Sequence, residues 1–500
     1  MQTISSKNLS RRISGSSATM FTMTNYTIKN KIFQHYRVKL TTILITFFFL
    51  FILPSHSNNV FAIYDPLIVL NNKFGIHIID ESDLDDAKNL VNENGDWGYV
   101  TLVIQKEDRN TVKWQKVFDK LREDHLIPIV RIATRPQGSN WEKPNPDEID
   151  GWVSFLNSLN WVIENRYVII GNEPNHAKEW GGEIDPVSYA NYLKVFSQKL
   201  KSRSNDFFIL EGALDASAKN TKGTMDEQEF LTKMVTSVPD VFENVDGWAS
   251  HSYPNPDFSS PPTDEGRESL KTYQWELDLL KTLSIKKDFP IFITETGWSQ
   301  KNLTEDKIGE YYQYAFSNVW SDPRIVAVTP FILNYIDDPF KDFSWKKQDG
   351  SFYKFYDIVK NFPKVKGSPT QIDKAQILIG IIPHDEIADK FFPFTLAVVN
   401  QGQAIWDTRK INITGNGIEA VPIKASAPET VTPGHIALFA GIGKVQNFAK
   451  YINNFLSIEN NKKIISNKYY FNILNPEVSP SPLNQFINNI IWVLTTHLKN

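Results

Sequence analysis

Short apolar runs alternate with longer amphipathic segments from about residue 74 to residue 335. Most of these runs are continuous, which is typical of strands that are buried on both faces of a parallel sheet. The eight strands predicted in this way cover residues 74–79, 99–104, 127–133, 166–172, 207–212, 245–253, 290–295 and 326–333.

Helical periodicity fills most of the gaps between these strands. The predicted helices cover residues 83–94, 111–124, 147–160, 185–203, 267–283 and 305–320. Asp185 followed by Pro186 is the clearest start signal, because Asp is a favoured N-cap and proline fits the first helical turn. Strands that alternate with helices over about 260 residues predict an α/β fold, a closed (β/α)₈ TIM barrel that covers residues 63–365.

An open, doubly wound sheet is the alternative arrangement of alternating strands and helices. Such a sheet would carry a glycine-rich phosphate-binding turn after its first strand. Here the first strand continues into "HIIDESDLDDA", residues 77–87, which contains no glycine. The barrel is therefore the preferred interpretation.

The pattern changes after about Lys366, where short apolar runs are broken by Gly, Pro and Asn. This texture is typical of a small, Ig-like all-β sandwich, which we predict for residues 366–450 as a spacer, a carbohydrate-binding module or a cell-surface contact. Residues 451–500 form an Asn- and Lys-rich tail that is expected to lie on the sandwich or on another surface. Its apolar stretch, residues 487–498, is too short and too interrupted to span a membrane.

The first 62 residues have the features of a targeting segment. Residues 1–39 are basic and contain no acid, and the uncharged run 40–53 is followed by Val60 and Ala62 at the spacing of a cleavage signal. The uncharged run is shorter than the ~20 residues that a membrane-spanning helix needs. We therefore predict a cleaved export signal and a secreted or cell-surface protein. Membrane anchoring by residues 40–53 is the alternative.

Composition narrows the possible chemistry. The formal net charge of −4 gives no reason to expect a nucleic-acid partner, which favours a basic surface. Cysteine is absent, so disulfides and thiolate metal sites are excluded. No cluster of His, Asp and Glu shows metal-ligand spacing and no cofactor motif occurs, so neither a metal nor a cofactor is expected.

Two acids stand at the ends of predicted strands that are far apart in sequence. The fourth strand ends in "NEP", in which Glu173 lies between an amide and a proline, and the seventh strand ends at Glu295. The sixth strand ends in "HSYP", which contributes His251 and Tyr253. Barrel enzymes carry their catalytic residues at this end of the strands, so the two acids are expected on one rim.

These motifs together resemble the large clan of retaining glycoside hydrolases that are built on the (β/α)₈ barrel, including cellulase-like and xylosidase-like families. In that clan Asn-Glu-Pro commonly ends strand 4, a glutamate ends strand 7 and His-x-Tyr often ends strand 6. The resemblance covers roughly residues 74–360. It implies cleavage of β-linked oligo- or polysaccharides by double displacement through a glycosyl-enzyme intermediate. Glu173 would be the acid/base, protonated before attack, and Glu295 the nucleophile.

The resemblance also implies supporting roles. Asn172 would bind the sugar 2-hydroxyl, and Tyr253 would donate a hydrogen bond to the nucleophile. His77 and His251 are further candidates for the sugar site. Independently of the resemblance, Arg131 interrupts the apolar third strand and needs a partner if it is buried, which a carboxylate at the barrel mouth would supply.

Tryptophans after the strands are candidate platforms for sugar rings. They are Trp141, Trp180, Trp298 and Trp345, of which Trp298, three residues after Glu295, is best placed. Two other functions stay open, a catalytically idle barrel that binds glycans and a surface protein that serves attachment. The presence of both acids disfavours the idle barrel.

Overall fold

The computed structural model describes residues 64–382, 391–416, 418–423, 427–445 and 454–471. The predicted export signal, the possible anchor at residues 40–53 and the tail after residue 471 lie outside these ranges. Within them, no helix combines the length and the apolarity that crossing a bilayer requires.

Parallel strands form the centre of the N-terminal part, and each overlaps one of the predicted strands. They are β1 (Gly75–His77), β2 (Gly98–Gln105), β3 (Leu126–Ala133), β4 (Arg166–Ile170), β5 (Phe207–Glu211), β6 (Trp248–His251), β7 (Ile291–Glu295) and β8 (Ile325–Val328). Strands β1 to β5 pair in chain order as one parallel sheet, and β6 to β8 form a second one. The predicted α/β class with parallel strands is confirmed.

Single parallel bridges connect the edges of the two sheets. Phe74, just before β1, bridges to Val328 in β8, and Leu210 in β5 bridges to Gly247, just before β6. Backbone hydrogen bonds accompany both bridges, such as the 2.9 Å bond from Val328 N–H to the Lys73 carbonyl. All eight strands therefore point in one direction, and their C-terminal ends share one side of the molecule.

Helices follow the strands and cover their outer faces with apolar side chains. They are α1 (Leu84–Asn92), α2 (Thr111–Glu123), α3 (Ile149–Ser158), α4 (Pro186–Arg203), α5 (Glu227–Ser237), α6 (Thr272–Thr282), α7 (Glu305–Tyr314) and α8 (Lys354–Lys360). Helix α4 begins as predicted, with the Asp185 carboxylate accepting a hydrogen bond from Ser188 N–H. Helices α5 and α8 were not predicted from the sequence.

Antiparallel strands make up the C-terminal part. They are β9 (Ala375–Ile381), β10 (Phe391–Asn400), β11 (Ile411–Asn416), β12 (Ile418–Pro422), β13 (Ile436–Val445) and β14 (Asn454–Asn460). One sheet has the order β9-β10-β13-β12, and in the other β11 pairs with β14. Strand pairing continues beyond residue 450, the predicted end of this domain. Buried residues of both sheets belong to one apolar cluster, which includes Leu396 and Ile458.

Side-chain amides connect this part to the strands and helices before it. Asn160 donates to the Gly402 carbonyl at 2.9 Å, and Gln403 donates to the Ile163 carbonyl at 2.7 Å. Gln371, four residues before β9, donates to the Val162 carbonyl at 2.8 Å. The segment that precedes β9 is thus fixed against the loop that precedes β4.

Three buried glutamates, Glu211, Glu227 and Glu276, lie around β6. Glu276 accepts a 3.2 Å hydrogen bond from Trp248 Nε1, and Glu211 accepts a 2.8 Å bond from Ala249 N–H. The carboxyl of Glu227 lies against that of Glu276, and each acts on the pKa of the other through a side-chain hydrogen bond. Burial raises the pKa of all three carboxyls, and that of Glu276 reaches about 7.

Replacing Glu276 with Gln should flatten the pH dependence of stability. The folded-state pKa of Glu276, about 7, lies above its ordinary value of 4.5. Its contribution to stability is therefore complete below pH 4.5 and is lost as the pH rises through 7. We expect the variant to lose less stability than the wild type between pH 5 and 8, by on the order of 3 kcal/mol. Denaturant unfolding at several pH values measures this loss, and Glu310→Gln, at an exposed position, is the control. Parallel plots of unfolding free energy against pH for the wild type and Glu276→Gln would contradict the prediction.

Candidate active site

Glu173 lies in the turn that follows β4, in a left-handed backbone conformation with φ of +36°. Its N–H donates to the Ala213 carbonyl at 2.9 Å, and its own carbonyl accepts from His176 N–H at 2.8 Å. A non-glycine residue in this region costs on the order of 1 kcal/mol, which the two hydrogen bonds offset. The turn therefore fixes where the Glu173 side chain points.

Glu295 ends β7 and accepts hydrogen bonds on both carboxylate oxygens. Arg131 Nη1 lies 2.8 Å from Oε1, and the Tyr253 hydroxyl donates to Oε2 at 3.2 Å. The same Nη1 donates to Asn172 Oδ1, and the Asn172 amide nitrogen, which donates to the Glu179 carboxyl, keeps a second N–H for another acceptor. Arg131 thus has the carboxylate partner that its place in an apolar strand requires. Burial, followed by the charge of Glu295, raises the pKa of Tyr253 far above 10, so the phenol remains a proton donor.

His251 lies close to both acids. Its Nδ1 lies 3.0 Å from Glu173 Oε1 and 3.8 Å from Glu295 Oε2. One oxygen of each glutamate and this ring nitrogen all lie within 4.8 Å of one another. The carboxylates that the sequence places on strands 4 and 7 thus face each other across one small space.

Glu173 and His251 shift each other's pKa values in opposite directions. Burial raises the pKa of Glu173, but the hydrogen bond and charge of His251 outweigh burial, and the net effect lowers it. Burial lowers the pKa of His251, but the charges of Glu295 and Glu173 outweigh burial and raise it. These shifts favour an ionised Glu173 beside a protonated His251 in the free protein, and protonation of Glu173 before attack stays a prediction.

His77 lies beside Glu295 and is fully buried. Its Nε2 is 3.9 Å from Glu295 Oε1, and its ring meets the Phe331 ring edge-on at 5.2 Å. Burial, then the charge of Arg131, lowers its pKa to about 3, so the imidazole is neutral. Neither ring nitrogen has a hydrogen-bond partner in the described part of the chain. A contact between His77 and a sugar hydroxyl remains a prediction.

Trp298 is buried among other side chains, which corrects its assignment as an exposed sugar platform. It is only 2% exposed, its indole N–H donates to the Ser260 carbonyl at 2.9 Å, and its ring packs against Tyr311 and Tyr312 of α7. Trp180 and Trp345 are equally buried. Of the four candidate tryptophans, only Trp141 is partly exposed.

A second ion pair, which was not predicted from the sequence, lies next to Glu173. His176 Nε2 lies 2.8 Å from Asp215 Oδ2, and both side chains are partly exposed. His176 follows Glu173 by three residues, and Asp215 follows β5 by four. Their places just after neighbouring strands were the only sequence signal for this ion pair. Both side chains act electrostatically on Glu173.

The spacing of Glu173, His251 and Glu295 is also one that a cation could use. The contacts favour a hydrogen-bonded acid cluster instead. Arg131 already places a positive charge 2.8 Å from Glu295, and a second cation there would be repelled. Tyr253 engages the other oxygen of Glu295.

No protein-family profile and no curated protein sequence matches the chain. Solved structures of glycoside hydrolases do resemble it. A monomeric β-xylosidase from Caulobacter crescentus CB15 is 12% identical, with a TM-score of 0.43 over 66% of this chain and 75% of the other. A family 39 glycoside hydrolase from Bacteroides cellulosilyticus WH2 is 12% identical, with a TM-score of 0.41 over 77% and 82%. An endo-β-1,4-glucanase from Xanthomonas axonopodis pv. citri is 14% identical, with a TM-score of 0.39 over 58% and 98%. Likenesses this distant do not assign an activity to this chain.

Proposed function

We propose that the protein is a retaining glycoside hydrolase that cleaves β-linked glycans through a covalent glycosyl-enzyme intermediate. The separation of the two carboxylates carries the proposal, since oxygen atoms of Glu173 and Glu295 lie within 4.8 Å. Retaining enzymes place their carboxyls about 5–5.5 Å apart, whereas inverting enzymes need about 6.5–9.5 Å to admit a water. The observed spacing fits attack by the carboxylate itself.

The fold that we propose for this activity is a closed (β/α)₈ barrel followed by a β-sandwich. The two bridges at the sheet edges, Phe74–Val328 and Leu210–Gly247, support closure. The apolar cluster that the two antiparallel sheets share supports the sandwich. In such a barrel the C-terminal ends of β4 and β7 belong to the face that carries catalytic residues.

In the first step, Glu295 attacks the anomeric carbon while the bond to the leaving oxygen breaks and Glu173 delivers a proton to that oxygen. The proton reaches Glu173 from His251 across their 3.0 Å contact. Arg131 and Tyr253 orient the nucleophile, and the Asn172 amide nitrogen would bind the 2-hydroxyl, where hydrogen bonds strengthen in the transition state.

In the second step, a water replaces the leaving group, and Glu173 takes its proton as the water attacks the anomeric carbon. Esterification of Glu295 removes a negative charge that helps to hold the proton on His251. The hydrolysis step ends with Glu295 released as a carboxylate and a proton returned to the pair of Glu173 and His251. The cycle is therefore balanced in protons.

Export is also proposed, on the basis of the basic leader and the uncharged run 40–53. N-terminal sequencing of the protein produced with its leader would identify cleavage. A secreted chain that begins near residue 63 supports the proposal, whereas an intact leader in a membrane fraction favours the anchor.

The anomeric product tests the proposed function. Residues 63–500 are incubated with a panel of β-linked glycans, and released reducing ends are measured. For the glycan that is cleaved, proton NMR should show the β-anomer first, because two displacements restore the configuration. The α-anomer as first product would make the enzyme inverting. Binding of a glycan without cleavage would favour the idle glycan-binding barrel.

A further inference from the structure

The loops after β4 and β5 form one platform beside Glu173. Asn175, fully buried, donates through its amide to the carbonyls of Asp215 and Met225 at 3.0 Å each, and its carbonyl accepts from Met225 N–H at 2.9 Å. Ala177 N–H donates to the Gly223 carbonyl at 2.8 Å. The two loops are therefore held in a fixed relation to each other.

The ion pair between His176 and Asp215 crosses this platform. The Ser217 N–H and hydroxyl both donate to Asp215 Oδ1, at 2.8 and 2.7 Å, which directs Oδ2 toward His176 Nε2. His176 Nδ1 has no hydrogen bond within the described ranges, and the side chain is 17% exposed. A fixed imidazole thus keeps one nitrogen available for a ligand.

The position of the pair relative to the two acids indicates which part of a substrate it would meet. Glu295 is contacted by Arg131, Tyr253, His77 and His251, whereas His176 and Asp215 influence Glu173. The sugar that becomes attached to Glu295 must lie over the residues that contact Glu295. The leaving group must lie beside Glu173, which protonates it, and therefore next to the ion pair.

We propose that His176, positioned by Asp215, binds a hydroxyl of the leaving-group sugar, so that the preferred substrates are glycans whose leaving group is itself a sugar. This inference rests on the proposed function. An imidazole hydrogen bond to a hydroxyl selects a saccharide over a flat aryl group, which offers no hydroxyl at that place. His176 is then a specificity-determining residue.

The test compares two leaving groups in His176→Ala. The ratio of kcat/KM on an unsubstituted oligosaccharide to kcat/KM on an aryl glycoside of the same sugar should fall about tenfold to a hundredfold. His125→Ala is the matched control, since His125 Nδ1 also lies 2.8 Å from an aspartate, Asp96, but precedes β3 at the opposite end of the strands. That variant should leave the ratio unchanged. An equal loss on both substrates, or no loss, overturns the inference.

A binding measurement separates this inference from the proposed function. In a Glu295→Gln background, the affinities for xylotetraose and cellotetraose are measured by calorimetry with and without His176→Ala. If His176→Ala weakens the affinity for the tetraose that binds by at least tenfold, the role of His176 is supported. This holds even if the wild type turns over no glycan and the proposed function fails. An unchanged affinity, or no binding of either tetraose, overturns it.

Discussion

Glu295→Gln should lower kcat by at least about 10⁴-fold on every substrate that the wild type cleaves, because loss of a nucleophile removes the covalent route. The amide keeps the size of the side chain, and its one oxygen can still accept from Arg131, which contacts Glu295 Oε1 at 2.8 Å. Its NH2 group then faces the Tyr253 hydroxyl oxygen, which lies 3.2 Å from Oε2. KM should change far less than kcat, since the sugar contacts remain. Steady-state kinetics on the best glycan of the panel give both values.

Glu179→Gln is a matched control for this variant. The Glu179 side chain is 11% exposed, as is that of Glu295, and burial followed by the charge of Glu173 raises its pKa. Glutamine resembles the protonated form that this environment favours, so the control should lose less than about tenfold in kcat. A similar loss in both variants would mean that removing any acid from this region stops turnover, and would contradict the special role of Glu295.

Covalent labelling provides a second measurement. A 2-deoxy-2-fluoro β-glycoside with a good leaving group should accumulate as an ester on the wild type, because fluorine slows its hydrolysis. Mass spectrometry should place the added sugar on the peptide that contains Glu295. Glu295→Gln leaves the Arg131 charge without its carboxylate, which destabilises a buried site, so unfolding midpoints accompany the kinetics. If Glu295→Gln does not fold, Glu295→Asp replaces it. The aspartate keeps the charge, but its shorter side chain moves the carboxylate away from the anomeric carbon, so kcat should still fall strongly.

The positions of Glu173 and Glu295 could be predicted because each stands at the end of a continuous apolar run, and the end of such a run marks the end of a strand. Parallel strands place all such ends on one side, so Glu173 and Glu295 had to approach each other once their strands were recognised. Arg131 is explained in the same way, since a charge within an apolar strand requires a carboxylate. These inferences depend only on strand direction and on the cost of burying charge.

The features that could not be predicted from the sequence depend on individual contacts in the folded protein. The orientation of Trp298 depends on one hydrogen bond to Ser260 and on tyrosines of α7, none of which a loop sequence indicates. The lowered pKa of Glu173 depends on its 3.0 Å contact with His251. Helix α5 was missed because its buried apolar side chains, Phe230, Leu231 and Met234, span barely more than one turn. Packing against the rest of the protein stabilises such a helix more than its own pattern does.

Glu173→Ala should lower kcat/KM by about 10²–10⁴-fold on oligosaccharides, which need a proton on the leaving oxygen. An activated aryl glycoside needs little or no proton, so its first step should be largely spared. The second step loses its general base, and the glycosyl-enzyme should accumulate. Pre-steady-state measurements with the aryl glycoside should therefore show a burst of released phenol followed by a slow steady rate.

Added azide should then distinguish the two glutamates by the product that it forms. In Glu173→Ala, azide enters the space left by the carboxylate, attacks the intermediate on the face opposite Glu295 and gives the β-glycosyl azide with faster turnover. In Glu295→Ala, azide takes the place of the nucleophile on the other face and gives the α-glycosyl azide. The reverse assignment of products would exchange the roles of the two acids. Full activity of Glu173→Ala on oligosaccharides would mean that His251, 3.0 Å away in the wild type, delivers the proton directly.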